Sequence, residues 1–198
     1  RWRASVFPER RRKALKIALP ILFGVSMSVA ACKRTPPPPV ESEVCPRDAP
    51  ERCFERGVAW MADEPDKASR AFERGCEAGH AGCCNNLGRL LAEGRGVERD
   101  TPRAATSFLV ACNEGLGHGC VGLAELQRKV EQPDQTEGQR LLERACTLGH
   151  PDGCLRAGNR WAQGIGVEEA SKKEAVPRWE RACAGGVARG CAALGLNL

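Results

Sequence analysis

The sequence predicts an all-α fold, an array of antiparallel helix pairs stacked as a solenoid and stapled together by disulfides. The first observation behind this is cysteine spacing. Ten of the 12 cysteines form five pairs with one separation, Cys45/Cys53, Cys76/Cys84, Cys112/Cys120, Cys146/Cys154 and Cys183/Cys191, each eight residues apart. Such regularity in an exported chain reads as a disulfide framework. The second is period: the pairs recur at steps of 31, 36, 34 and 37 residues, the range expected of two-helix solenoid units. The third is composition. Aromatic residues make up only 5% of the chain while Gly occurs 22 times, so close helix contacts through Ala, Gly and Leu are expected in place of a wide aromatic interior.

Residues 1–31 read as a lipoprotein signal peptide. Arg10 to Lys16 is a positive n-region, and Ala18 to Val29 is an apolar run too short and too rich in Gly and Ser to span a bilayer comfortably. Val29-Ala30-Ala31-Cys32 then resembles the bacterial lipobox. Cys32 is accordingly expected to be the lipidated mature N-terminus; an ordinary cut after Ala31 would leave it as a thiol. Acyl chains on Cys32 would tether the body to a membrane, each buried methylene adding about 0.8 kcal/mol. Residues 32–44 are the lipidated Cys and a linker, in which Pro36-Pro37-Pro38-Pro39 favours an extended, semi-rigid spacer. Lys33, where the Asp associated with inner-membrane retention would stand, favours the outer membrane with the body facing the periplasm.

Residues 45–198 form the repeat domain. Each first cysteine of a pair ends a stretch of helical apolar spacing, such as Ala105, Phe108, Leu109 and Cys112. Each second cysteine opens another, such as Cys120, Leu123, Ala124 and Leu126. Between them lie Gly79-His80-Ala81-Gly82, Gly115-Leu116-Gly117-His118-Gly119 and Gly149-His150-Pro151-Asp152-Gly153, residues that end one helix and turn into the next. On one straight helix, eight residues would separate Cα atoms by roughly 12 Å, beyond bridging reach. A turn between antiparallel helices brings them together, so each disulfide is expected to cross the junction between repeats. The Glu and Arg before each first cysteine, as in Phe72-Glu73-Arg74, Leu142-Glu143-Arg144 and Trp179-Glu180-Arg181, are expected to be solvated helix faces.

Charge excludes one class of partner. The formal net charge is +5, but residues 1–31 hold seven basic side chains against Glu9, leaving a slightly negative body. Such a body lacks the one-signed stripe that phosphate neutralisation requires, so no nucleic-acid partner is expected.

The cysteine spacing, with Leu87-Gly88 followed by Glu93-Gly94-Arg95-Gly96-Val97 and Asp100, and with Trp161-Ala162-Gln163-Gly164-Ile165-Gly166-Val167, resembles the Sel1-like repeat, specifically the cysteine-rich class of the Helicobacter cysteine-rich proteins. The resemblance covers residues 45–198, about four repeats. It implies a right-handed α/α superhelical solenoid of TPR-like pairs, with Gly-x-Gly-Val turns inside each repeat. Two connections depart from the pattern, Val130 to Thr136 and Asp63-Glu64-Pro65-Asp66. Leu198 follows soon after Cys191, so the last helix is expected to cap the stack.

The expected function is a repeat scaffold that binds a protein, peptide or cell-wall ligand in the cell envelope, since stacked helix pairs generate an extended binding face. The resemblance also implies an enzymatic alternative, because some Helicobacter cysteine-rich proteins are described as penicillin-binding with weak β-lactam hydrolysis. No Ser-x-x-Lys stands in the chain to supply that chemistry, and no catalytic residue is assigned. Resemblance to mitochondrial cytochrome-oxidase assembly factors would imply a haem or redox role, for which the lipobox is the wrong setting; no cofactor is expected. Cys83 is left over beside Cys84 as an unpaired thiol, with no basic cluster to activate it. His80, His118 and His150 are expected about a repeat apart along one edge, too far to share a metal, so no metal site is assigned. Trp60, Phe72, Phe108, Trp161 and Trp179 read as core. Gly94-Arg95-Gly96 and Gly164-Ile165-Gly166 read as turns, not phosphate loops.

Overall fold

The computed structural model describes residues 45–46, 48–129 and 132–196. The signal, Cys32 and the proline-rich spacer lie outside these residues. Within them the chain forms nine helices and no strand: α1 Pro50–Trp60, α2 Pro65–Glu77, α3 Ala81–Glu93, α4 Thr101–Asn113, α5 Gly117–Arg128, α6 Gln135–Thr147, α7 Pro151–Gln163, α8 Lys172–Ala184 and α9 Ala188–Gly195. No helix among the described residues is long and apolar enough to cross a membrane.

Local chemistry sets these boundaries. The even-numbered helices α4, α6 and α8 begin at Asp100, Asp134 and Ser171, whose side chains accept from the backbone N–H groups of Arg103, Glu137 and Glu174. On the odd-numbered side, α3 and α7 start at His80 and His150, whose Nδ1 atoms accept from the N–H groups of Cys83 and Gly153 at 3.2 and 3.1 Å. Between repeats, Gly79, Gly115, Gly149 and Gly186 all take φ of 78–85°. The residue after each donates its N–H back five positions, to Gly75, Ala111, Ala145 and Ala182, closing each preceding helix the same way. Open space surrounds these four glycines, so the positive φ alone calls for glycine.

Each helix packs on its chain neighbours, and α1, α3, α5 and α7 also approach one another in sequence. The helices α1, α3, α5 and α7 therefore form one continuous layer and the even-numbered helices cover it. One pairing recurs between the layers. Four residues before a pair's first cysteine stand Phe72, Phe108 and Trp179, all buried. Four residues after the second cysteine of the preceding pair stand Gly57, Gly88 and Gly158. A Cβ at Gly88 would come within 2.9 Å of the Phe108 ring, and one at Gly158 within 2.8 Å of the Trp179 ring. Each large ring thus fills the space that a glycine leaves, which is how so few aromatic residues build a core. In the fourth instance both partners change: Leu142 replaces the ring and Ala124 the glycine. The core divides into a long cluster from Cys45 to Ala157 and a shorter one, around Trp179, that joins α7, α8 and α9.

Two tryptophans differ from expectation. Trp60 and Trp161 are only half-buried, and the guanidinium groups of Arg56 and Arg178 sit 6.0 and 5.1 Å from their ring centroids.

Glu180 and Arg181 are solvated as expected, whereas the other two Glu-Arg pairs also join neighbouring segments in the outer layer. Glu73 of α2 accepts from Arg103 of α4 at 2.6 Å, and Glu143 of α6 accepts from Arg178 of α8 at 2.6 Å. In the opposite direction Arg74 donates to the Cys45 carbonyl and Arg144 to Asn113 Oδ1. The repeat period places Glu73 and the Glu143-Arg144 pair beside the equivalent helix of a neighbour, so that α6 serves two junctions.

Candidate functional site

The structure joins Cys45–Cys53, Cys76–Cys84, Cys112–Cys120, Cys146–Cys154 and Cys183–Cys191, with Cα atoms 4.4–5.2 Å apart. Four of the bridges tie the last turn of an even-numbered helix to the first turn of the next odd-numbered one. In the first, Cys45 lies in the non-helical segment before α1. Cys83 is the free cysteine among the described residues and is buried between α2 and α3. A Cβ on Gly75 would overlap its sulfur, so Gly75 is the residue that admits the thiol. Burial, with Glu51 second, pushes the Cys83 thiol up to about 12, which keeps it protonated and unreactive.

The three histidines are not equivalent. His80 and His150 share the helix-capping position, whereas His118 stands two residues further along its junction, where the others carry Gly82 and Asp152. That offset brings the exposed His118 ring edge-on to His150, with centroids 4.2 Å apart, instead of a repeat away. His80 stacks on Phe54 at 5.0 Å. Burial first, and His118 second, hold His150 below the ordinary imidazole range. Among the described residues no group of three or more His, Cys, Asp or Glu is arranged to hold a metal ion.

The serines are structural where described. Ser69 and Ser107 are buried and donate to the carbonyls of Asp66 and Arg103, and Ser171 caps α8.

A cavity of about 450 Å³ opens beside the odd-numbered layer, between α5, α6 and α7, with Arg189 of α9 at its edge. Its floor is apolar, formed by Ala124, Leu142, Leu155 and Ile165. Its polar groups are mostly arginines. Arg156 pairs with Glu125 and, at 2.5 Å, with Asp152. Arg128 shares Glu125 at 3.0 Å, and Arg189 reaches Asp152 at 3.9 Å. Arg160 is held by neutral acceptors: its Nε donates to Gln139 Oε1 at 3.1 Å, and its Nη2 donates to the backbone carbonyl and side-chain oxygen of Gln135. Behind it, the buried Gln139 donates to Glu143 at 2.9 Å, and Glu143 also accepts from Trp161 and Arg178. Arg160 is thus the cavity end of a hydrogen-bonded network reaching the outer layer. Asn159 is positioned by the Trp179 indole N–H at 2.9 Å. Burial lowers the pKa of both Arg156 and Arg160, and Arg189 adds to the effect at Arg156.

Reading single residues in the sequence did not single out these arginines. A signal was available in the cysteine register, which aligns Arg160 with Leu90 and Leu126, both buried in α3 and α5, and with the exposed Ala59 of α1. An arginine replacing a leucine at a core position marks this repeat as different.

The fold and site define a class, the disulfide-stapled α-helical repeat array. No family model matches the chain. Over 138 residues it is 28% identical to cytochrome c oxidase assembly factor 7 of Xenopus tropicalis, a match covering 62% of this chain and 59% of the frog protein. The chain therefore spans less than two thirds of that relative's length. Among solved structures, a Sel1 repeat protein from Oxalobacter formigenes superposes with a TM-score of 0.68 at 21% identity, over 78% of this chain and 67% of that one. Helicobacter pylori cysteine rich protein B does so with a TM-score of 0.53 at 24% identity, over 67% of this chain and 98% of that one. The fold is that of the Sel1-repeat solenoids.

Proposed function

We propose that the protein is an exported, lipid-anchored scaffold that holds a protein or peptide segment against its odd-numbered helices in the cell envelope. The observation that carries this reading is the continuous layer of α1, α3, α5 and α7, stapled by disulfides and bearing an open cavity. Such a layer presents a long face at fixed geometry, as binding solenoids do. The disulfide framework fits an oxidising compartment, and the lipobox at Cys32 supplies a route to it and an anchor. The frog relative is named for assembly, which accords with a scaffold.

Photo-crosslinking in a diderm bacterial host tests the binding half of this reading. A benzophenone amino acid at Arg89, which shares the register of Asn159 on α3, is expected to yield discrete adducts. The same group at Arg140 on α6 or Lys173 on α8 is expected to yield none. Adducts spread equally over both layers, or absent from both, would remove the scaffold reading. Metabolic labelling with palmitate tests the anchor: label and membrane fractionation should both disappear in Cys32→Ser, and labelling that persists would remove it.

A further inference from the structure

Two departures from the repeat coincide at the cavity. In the even-numbered layer, Leu142 with Ala124 stands where other repeats pair a large ring with a glycine, and the cavity opens beside this altered pair. On α7, Arg160 stands where Leu90 and Leu126 are buried. Arg160 is only partly buried there, and it lines the cavity while Gln135 and Gln139 hold it. The charges do not cancel. Four guanidinium groups, of Arg128, Arg156, Arg160 and Arg189, face or rim the cavity, while the carboxylates paired with them belong to Glu125 and Asp152.

We propose that this cavity binds an acidic peptide segment, with Arg160 receiving a carboxylate, the surrounding arginines supplying the excess positive charge, and the apolar floor receiving the aliphatic stems beside it. The inference rests on the scaffold reading and adds the chemistry of the partner. The Nε and Nη2 of Arg160 are taken by the two glutamines, which leaves Nη1 to donate a charge-assisted hydrogen bond to a carboxylate oxygen. Gln139 and Gln135 hold Arg160 without neutralising it, so the cation is oriented before a ligand arrives. Leu142, Leu155 and Ile165 offer contacts that a peptide can use and an inorganic anion cannot. The volume suits a few side chains of an extended segment.

The test uses the full oxidised chain and fluorescein-labelled octapeptides of Ala and Leu that carry two adjacent Glu, or Gln at the same positions, with anisotropy as readout. The Glu peptide is expected to bind about tenfold more tightly than the Gln peptide, the value of one charge-assisted pair. That preference should disappear in Arg160→Gln and in Arg160→Leu. The Leu variant carries the residue that α3 and α5 have at this position and is expected to keep the helical fold by circular dichroism. Arg140→Gln, which removes one positive charge from an exposed site outside the cavity, should leave the preference intact. Millimolar inorganic phosphate should not displace the Glu peptide. Equal binding of the two peptides, a preference that survives both Arg160 variants, or displacement by phosphate would each overturn the proposal. None of these outcomes bears on the crosslinking at Arg89, which judges the scaffold reading separately.

Discussion

His150 shows how much one side chain does at a junction. Its Nδ1 must be unprotonated to accept from Gly153, and the start of a helix is an unfavourable place for a cation. Burial and His118 lower its pKa while Asp152 partly opposes them. A base with a depressed folded pKa binds fewer protons folded than unfolded, so its contribution is fully present above the ordinary value of 6.5 and is lost as pH falls below it. Thermal melts should therefore show an acid-side loss of stability beginning near pH 6.5 that is reduced in His150→Asn, which keeps a capping oxygen without titrating there. At neutral pH, His150→Ala should cost about 1 kcal/mol, the usual value of a lost cap. Cys83 gives a second prediction at this scale. In a Cys32→Ser chain, Ellman's reagent should find almost no reactive thiol until denaturant is added, because the buried sulfur stays protonated. Prompt reaction in the native protein would contradict the burial. The unpaired status of Cys83 was legible from the cysteine register. The contact between His118 and His150 was not, because all three histidines were read as equivalent when one is offset by two residues.

At the scale of elements, the Gly-x-Gly-Val turns do more than join two helices. Their first glycines, Gly94 and Gly164, end α3 and α7 in the left-handed conformation. Their second glycines, Gly96 and Gly166, also have positive φ and lie against the first residues of α2 and α6. A Cβ at Gly166 would overlap the Gln135 carbonyl, and one at Gly96 would overlap the backbone of Pro65. These turns thus sit against the preceding repeat. Gly166→Ala should cost about 2 kcal/mol or more, through both conformational strain and collision. Gly149→Ala, with φ of 78° in open space, should cost only about 1 kcal/mol from strain alone. Equal losses on chemical denaturation would show that the contact with the preceding repeat carries no weight. The spacing in the sequence revealed the turn, but the collision depends on a residue some thirty positions earlier and is visible only once the helices are packed. The bonds of Glu73 and Glu143 likewise depend on arginines about one repeat away.

For the molecule as a whole, stability is shared between a sparse core and the disulfides. By the chain-entropy model, closing a loop of about nine residues is worth roughly 2.6 kcal/mol, so losing all five bridges should unfold or badly loosen the array. Helical circular dichroism on heating should fall at a much lower temperature in reductant; an unchanged melt would place the stability elsewhere. The loss should also be uneven. Among the described residues of α9 only Gly190 is buried, and the helix is bonded to α8 through Cys183–Cys191. Replacing that pair with alanines should strip hydrogen-exchange protection from α9 while α2 to α6 keep theirs, as expected where each repeat leans only on its neighbours.

The helix class, the period, the cysteine register and the places where each helix turns were all present in the order of residues. Each depends on local spacing, on glycine at positive φ or on a repeated word in the text. The odd-numbered layer, the Glu-Arg ladder and the arginine-lined cavity were decided by packing. Each requires residues about a repeat apart to meet, and a change from ring to leucine at position 142 has meaning only beside α5 and α7. Local rules shape the unit, and the stacking of units determines which side chains face one another.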